Sequence, residues 1–199
     1  MGVSAVVLAA GRSARMGWAK QLLRVGGRTM LTQTLENVRA SGVDEVILVL
    51  GFSAEVIRRE IPAALLSAVR VVVNADYESG MASSLRAGLA TVGLTMDAAL
   101  IVLADQPFVR PETMGRIIEQ YRRSDARIVV PFYRGSRGNP VLLDRAVFAE
   151  AMTLEGDVGC RAIFADHAGE MARVDVDDAA ILADIDSRED YERLRGAEG

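Results

Sequence analysis

The sequence contains very few of the residues that build disulfides and soft metal sites. Its 199 residues include one cysteine, Cys160, and one histidine, His167. One chain therefore cannot form an internal disulfide, a zinc site made of cysteines and histidines, or an iron–sulfur cluster with four cysteine ligands. A lone thiol is also typical of a reducing compartment. Any metal bound by this chain is expected to have oxygen ligands.

The sequence also lacks an excess of positive charge and a long hydrophobic run. With 23 Lys and Arg against 27 Asp and Glu, the formal net charge is −4, whereas non-specific nucleic-acid binders carry basic surfaces. The longest apolar stretches, such as 5–10 and 98–104, are far shorter than the roughly 20 residues that cross a bilayer. No basic segment precedes the first stretch, as a secretory signal would require. We therefore expect a cytoplasmic protein that binds neither nucleic acid nor a membrane.

Apolar runs alternate with helical patterns along most of the chain. Short continuous apolar runs predict buried strands, and apolar residues at helical spacing predict the helices between them. Strands are predicted over residues 3–8, 45–50, 69–73, 98–103, 128–131 and 140–143, and helices over 30–40, 54–60, 83–92, 111–123 and 188–195. This order predicts a Rossmann-like α/β fold with three layers, α/β/α, and a mostly parallel sheet. Because no linker divides the chain, we expect one domain over residues 1–199.

A glycine-rich segment, LAAGRSARMGWAK, begins at Leu8 directly after the first predicted strand. Its small residues let the backbone approach a ligand and present amides to phosphate oxygens. Its three cations, Arg12, Arg15 and Lys20, repel one another unless an anion such as a polyphosphate neutralises them. The spacing fits neither the Walker A motif nor the dinucleotide fingerprint G-x-G-x-x-G. By itself, the segment also fits an ordinary turn between a strand and a helix with solvated arginines.

Several motifs, in order along the chain, resemble those of the MobA-like nucleotidyltransferases, the group that contains molybdenum cofactor cytidylyltransferase and guanylyltransferase. The glycine-rich segment is followed by SGMASSLRAGL from Ser79, LADQPF from Leu103, RGNPVLL from Arg137, GDVGCR from Gly156 and DIDSREDY from Asp184. The resemblance covers nearly the whole chain and implies a nucleotidyltransferase fold. It also implies transfer of a nucleoside monophosphate from a triphosphate to a phosphate on an acceptor, with magnesium and release of pyrophosphate.

The resemblance implies roles for individual residues in nucleotide binding and catalysis. Arg15 and Lys20 would hold the β- and γ-phosphates, and together with Asp105 they form the implied catalytic set. The glycine-rich loop would line the phosphates and part of the base, and residues at the start of the helix after Gly80 would contact the base and ribose. The complete implied nucleotide-binding set is Leu8, Ala9, Ala10, Gly11, Arg12, Ser13, Arg15, Lys20, Gly80, Ser84 and Asp105.

The resemblance places magnesium on Asp105 and on an aspartate near the C-terminus. Mg²⁺ keeps several waters, so that one or two carboxylates suffice beside the phosphates. Asp184 and Asp186 alternate around Ile185 and point the same way from an extended segment. Asp186 is preferred as the second ligand, with Asp184 as the alternative. Without the resemblance, these aspartates would equally fit a turn, a helix cap or a solvated acidic face.

The acceptor is the least determined part of the function. The resemblance places it against Asn139, Asp157 and Arg161, but this chain has Gly-Asn-Pro where relatives often have Gly-His-Pro, and Cys160 where Ala is usual. CTP is preferred over GTP because guanylyl relatives tend to carry glycine at the position of Ala10, and a Cβ there leaves less room for a purine.

The expected partners are CTP or GTP, molybdopterin or the molybdenum cofactor, and a molybdenum hydroxylase that receives the product. Two alternatives remain open. The first is nucleotidyl transfer to a sugar or alcohol phosphate. The second is a non-catalytic accessory protein that delivers the cofactor to such a hydroxylase.

Overall fold

Strands and helices alternate along the chain in the computed structural model, which describes residues 1–12, 19–185 and 189–190. The strands are β1 (Val3–Ala9), β2 (Arg24–Val25), β3 (Arg28–Thr29), β4 (Glu45–Leu50), β5 (Arg70–Val73), β6 (Ala98–Leu103), β7 (Ile128–Tyr133), β8 (Ser136–Arg137), β9 (Val141–Asp144) and β10 (Met171–Asp175). The α-helices are α1 (Met30–Ala40), α2 (Ala54–Glu60), α3 (Ala63–Leu66), α4 (Met81–Leu89), α5 (Pro111–Arg122) and α6 (Phe148–Ala151).

The strands pair into one large central sheet and a small hairpin of β2 and β3. The order in the large sheet is β10-β7-β9-β6-β1-β4-β5, and β8 pairs with β7. β1 lies in the middle and runs parallel to both of its neighbours, β4 and β6. β9 runs antiparallel to β6 and β7, while β10 is parallel to β7. The predicted α/β fold with a mostly parallel sheet is confirmed.

Helices cover both faces of the sheet, because successive side chains of a strand point to opposite sides. Val7 of β1 belongs to one buried cluster together with Leu35 of α1 and Ile117 of α5. Val6 belongs to a second cluster on the other face, with Leu85 of α4. A strand that is buried on both faces has a continuous run of apolar residues. This is why β1 could be predicted from the sequence.

The predicted elements differ from the observed ones at their ends, and the short elements β2, β3, β8, α3 and α6 were not predicted. The predicted bounds of α1, α2, β4 and β6 agree with the structure, whereas α4 begins at Met81 rather than Ser83. Strand β10 was not predicted, because Val174 is its only fully buried residue and charged residues flank it. The helix predicted over 188–195 lies outside the described residues except for positions 189–190. Within the described ranges, no helix combines the length and apolar character needed to span a bilayer.

His167 links the segment before β10 to α6 through two carboxylates. Its Nε2 lies 2.6 Å from Glu150 Oε2 and its Nδ1 lies 2.8 Å from Glu170 Oε2. These hydrogen bonds, chiefly the one to Glu150, raise the pKa of His167 above its ordinary value. A raised folded-state pKa contributes stability that is fully present below the unfolded pKa of about 6.5 and is lost as the pH rises through the folded pKa.

We therefore expect His167→Gln to destabilise the protein more at pH 6 than at pH 9. Urea unfolding of the wild type and the variant at both pH values measures the difference directly. A difference in unfolding free energy that is the same at the two pH values would contradict a protonated His167 bridge.

Candidate active site

A cavity of about 790 Å³ opens at the carboxyl ends of β1 and β6. Ligands of open parallel sheets bind at this edge, where the loops leave the strands. Ser13 and Arg15 lie outside the described residues. All other members of the nucleotide-binding set implied by the sequence line this cavity, namely Leu8, Ala9, Ala10, Gly11, Arg12, Lys20, Gly80, Ser84 and Asp105.

Lys20 joins three segments of the chain at the floor of the cavity. It begins a short 3₁₀ turn, Lys20–Leu22, and its Nζ donates to Asp105 Oδ2 at 2.8 Å and to the carbonyl of Ile185 at 3.1 Å. The two charged side chains are only 14% and 25% exposed, so water screens their attraction less than at an open surface. The Ile185 amide in turn donates to the Asp105 carbonyl at 2.9 Å. The C-terminal motif is thus attached beside the end of β6.

Asp105 has the properties of a ligand for a divalent cation. Its Oδ1 is buried and has no hydrogen-bond partner among the described residues. Leaving a carboxylate oxygen buried without a partner costs free energy, which a bound cation would recover. The described residues contain no group of three or more His, Cys, Asp or Glu that could enclose a metal. A single carboxylate with a free oxygen fits a divalent cation that takes one or two carboxylates and completes its shell with phosphate oxygens and waters.

The second predicted metal ligand cannot be placed, because Asp186 lies outside the described residues. Asp184, the alternative, is next to the site but is held by Gln106, whose Nε2 donates to Asp184 Oδ1 at 2.7 Å. Gln106 is itself buried. It follows Asp105 directly, so the loop after β6 contacts the C-terminal motif through both residues.

The glycine-rich loop is hydrogen-bonded to the side chain of Gln21, which was not among the predicted site residues. The side chain is 3% exposed, and its Nε2 donates to the carbonyls of Ala9 and Gly11 at 2.9 and 3.1 Å. Only its position next to Lys20 could have drawn attention to it. At the rim of the cavity, Arg12 forms an exposed ion pair with Glu78 at 2.8 Å, a contact that a ligand anion can replace at little cost.

The start of α4 forms another wall, and the structure explains why glycine stands there. Gly80 has φ of +105°, and a Cβ at this position would lie 2.4 Å from the backbone of Gly156. The close approach brings Asp157 to the helix N-terminus, where its Oδ1 accepts a hydrogen bond from the Met81 amide at 3.3 Å. Asp157, predicted to contact the acceptor, therefore lines the large cavity.

Ser83 and Ser84 of the SGMASSLRAGL motif are buried, and Asn74 orients both hydroxyl groups. Asn74 Nδ2 donates to Ser83 Oγ at 2.8 Å and to Ser84 Oγ at 3.1 Å. The Ser83 hydroxyl donates to the Gly80 carbonyl at 2.8 Å, so it does not cap the helix as a serine at its start could. Ser84 alone of the two lines the cavity.

A second cavity of about 240 Å³ adjoins the first and shares Leu8, Met81 and Leu103 with it. Two of the three predicted acceptor residues, Asn139 and Arg161, line it together with Asp184. The remaining walls are mostly apolar and come from Leu85, Ile101, Val141, Gly159 and Cys160. Burial raises the pKa of the Cys160 thiol to about 12, and a protonated, buried thiol packs as a small apolar side chain.

The fold and the site together define a protein of the nucleotidyltransferase class, with a glycine-rich loop, a lysine and an aspartate around a nucleotide-sized cavity. Residues 5–172 match the family model described as "MobA-like NTP transferase domain". The chain belongs to this family, as the motifs predicted.

The relatives of this chain differ in what their names say they do. It is 34% identical over 96% of both chains to "Nicotine blue oxidoreductase" of Paenarthrobacter nicotinovorans. It is 24% identical to "Molybdenum cofactor cytidylyltransferase" of Escherichia coli, over 95% of this chain and 93% of that protein. Rv0371c of Mycobacterium tuberculosis has a similar crystal structure, with a TM-score of 0.87, 35% identity and 98% coverage of both chains. A complex of Rv0371c with manganese matches with a TM-score of 0.79, at 32% identity, covering 99% of this chain and 100% of that one.

Proposed function

We propose that this protein is a magnesium-dependent nucleotidyltransferase that transfers CMP from CTP to molybdopterin or the molybdenum cofactor and releases pyrophosphate. The observation that carries the proposal is the position of the Lys20–Asp105 pair. It lies in a large cavity that suits a triphosphate, and a smaller cavity for an acceptor opens next to it.

The proposed reaction is an in-line displacement at the α-phosphorus. An oxygen of the acceptor's phosphate attacks, and the bond to the departing pyrophosphate breaks. Such a transfer needs positioning and charge neutralisation more than covalent chemistry from the protein. Lys20, together with Arg15, stabilises the negative charge of the leaving pyrophosphate. Magnesium held by Asp105 would supply further positive charge to the phosphates.

Ala10 supports the choice of a pyrimidine nucleotide. Ala10 lines the large cavity, and only 3% of its surface is exposed. Its backbone is held in place, because its carbonyl accepts a hydrogen bond from the Phe52 amide at 3.1 Å. A methyl group on a fixed backbone narrows the cavity where glycine would leave room for a purine.

The chemistry of the second cavity supports a heterocyclic acceptor over a sugar phosphate. Its polar side chains are Asn139, Arg161 and Asp184, and most other walls are apolar. A sugar would bury several hydroxyls against walls that offer few partners, and each unsatisfied hydroxyl costs binding free energy. A flat ring system such as a pterin places its faces on apolar walls and needs polar partners only at its edges. A molybdenum hydroxylase in the cytoplasm is the corresponding recipient of the product.

A redox activity is the second candidate, because a relative that is 34% identical carries the name of an oxidoreductase. The Lys20–Asp105 pair and the orphaned Asp105 oxygen favour metal-assisted phosphate chemistry over it, since hydride transfer needs neither group. The accessory-protein alternative predicts cofactor binding without turnover.

One experiment separates these functions. The protein is incubated with each of the four triphosphates, magnesium and molybdopterin, and pyrophosphate is measured. We expect release with CTP and molybdopterin only. Parallel reactions replace molybdopterin with a sugar phosphate, omit the metal, or supply a reduced nicotinamide dinucleotide and follow its oxidation.

Each contrary outcome points to a different conclusion. Preference for GTP would overturn the base assignment, and equal turnover with a sugar phosphate would overturn the acceptor. Oxidation of the dinucleotide without pyrophosphate release would favour the redox candidate. Binding of molybdopterin with no turnover of any triphosphate would favour the accessory role.

A further inference from the structure

The side chain of Gln21 makes an unusual pair of contacts for a buried glutamine. Both of its amide hydrogens are used, because Nε2 donates to the carbonyls of Ala9 and Gly11. Two carbonyls can only face the nitrogen of the carboxamide, so the orientation of the group is fixed. The Nε2 of Gln21 therefore holds the carbonyls of two loop residues, Ala9 and Gly11, which are separated by one residue.

This connection sets the direction of two backbone amides. In a trans peptide, the N–H points opposite to the C=O of the preceding residue. Holding the carbonyls of Ala9 and Gly11 on Gln21 turns the amides of Ala10 and Arg12 away from it. Ala10 and Arg12 line the larger cavity, and backbone amides of such a loop are the groups that bind phosphate oxygens or a base edge.

The carboxamide oxygen of Gln21 indicates that the residue is not there for stability alone. Oε1 is buried and makes no hydrogen bond to any residue that the structure describes. A buried acceptor without a partner costs free energy, which a methionine of similar length would not incur. Gln21 lines the cavity beside Lys20. A gain in ligand binding, obtained by fixing the shape of the loop, would offset the cost of its unpaired oxygen.

We infer that Gln21 is a positioning residue for the nucleoside triphosphate, acting through the orientation of the Ala9–Arg12 backbone. This inference rests on the proposed function in that the ligand of the larger cavity is a triphosphate. Residues 9–12 line the larger cavity but not the smaller one. Loss of Gln21 therefore weakens binding of the triphosphate and leaves binding of the acceptor unchanged.

The test compares Gln21→Met and Gln21→Asn with the wild type. Methionine keeps the length of the side chain but has no donor, and asparagine keeps the amide but is shorter by about 1.5 Å, the length of one carbon–carbon bond. For both variants we expect the KM for the triphosphate to rise about 10-fold to 100-fold, with the KM for the acceptor unchanged. The Kd of CTP with magnesium, measured by calorimetry without acceptor, should rise by the same factor.

Gln120→Met is the matched control, because Gln120 lies on α5 and lines neither cavity. It should leave both KM values and the Kd unchanged. A purely structural role of Gln21 predicts a lower melting temperature and less active protein, with both KM values as in the wild type. Unchanged KM and Kd for the triphosphate in folded Gln21→Met or Gln21→Asn would overturn the inference.

The binding measurement keeps this test separate from that of the proposed function. If the wild type binds CTP but never releases pyrophosphate, the proposed transfer is wrong, and a raised Kd in the variants still supports the role of Gln21. If the wild type binds no triphosphate at all, both the proposed function and the inference are overturned.

Discussion

Asp105→Asn is expected to lower the rate of pyrophosphate release by about 1,000-fold, while the affinity for the triphosphate falls much less. The substitution keeps the size of the side chain but removes the negative charge that would hold a divalent cation. Asp105 Oδ1 is the buried oxygen without a partner, and an amide oxygen or nitrogen there is a much weaker ligand for magnesium. The triphosphate would still contact the glycine-rich loop and Lys20, so binding persists.

Single-turnover assays together with calorimetry of CTP binding check this expectation. Asp166→Asn is the control, because Asp166 is exposed and lines neither cavity. The rate should also become nearly insensitive to the magnesium concentration in Asp105→Asn. A variant that retains more than about a tenth of the wild-type rate, equivalent to a loss below about 1.4 kcal/mol in the barrier, would remove Asp105 from the catalytic set.

Lys20→Met is the second substitution with a large expected effect, a loss of about 100-fold to 1,000-fold in kcat/KM for the triphosphate. Lys20 is the only lysine in the sequence, and it donates to both Asp105 and the Ile185 carbonyl. Its removal takes away the charge that would stabilise the pyrophosphate and leaves the Asp105 carboxylate without this cation. We expect both a higher KM for the triphosphate and a lower kcat.

Steady-state kinetics with the triphosphate varied measures the effect of Lys20→Met. Arg28→Met serves as the control, because it also removes a cation, from an exposed ion pair with Glu36 outside both cavities. As an independent readout, a reagent that acylates lysines should modify Lys20 more slowly when CTP and magnesium are bound. Equal modification rates with and without the nucleotide would argue against a contact between Lys20 and the phosphates.

Local patterns made most of the fold visible in the sequence. β1, β4 and β6 lie in the middle of the sheet and are covered on both faces, so nearly all of their side chains are apolar. Helix α1 shows the complementary pattern, with Leu31, Leu35 and Val38 on its buried face. Strand β10 was not predicted, because Val174 is its only buried residue and the charged Arg173 and Asp175 beside it interrupt the apolar pattern.

The candidate site also has parts that could be predicted from the sequence and parts that could not. The loop after β1 could be predicted as a ligand site from its small residues and its position after a buried strand, whereas the roles of Lys20 and Asp105 came from the resemblance to the family. The hydrogen bonds of Asp157 to the start of α4 and of Asn74 to Ser83 and Ser84 could not be predicted. Asp157 reaches the start of α4 across 76 positions of sequence, and no local pattern reports such a contact. The roles of Lys20 and Asp105 are predictions that the substitutions above test.

The α/β architecture, the family and the chemical character of the loop at the end of β1 could all be inferred from the sequence. These properties depend on apolar periodicity and on motifs of adjacent residues, and both can be read along the chain. Three features became visible only in the folded chain. Lys20, Asp105 and Ile185 are in contact, a second and mostly apolar cavity adjoins the first, and Gln21 holds the glycine-rich loop. Such contacts depend on how strands far apart in sequence are placed side by side, because parallel strands bring their carboxyl ends to one edge of the sheet.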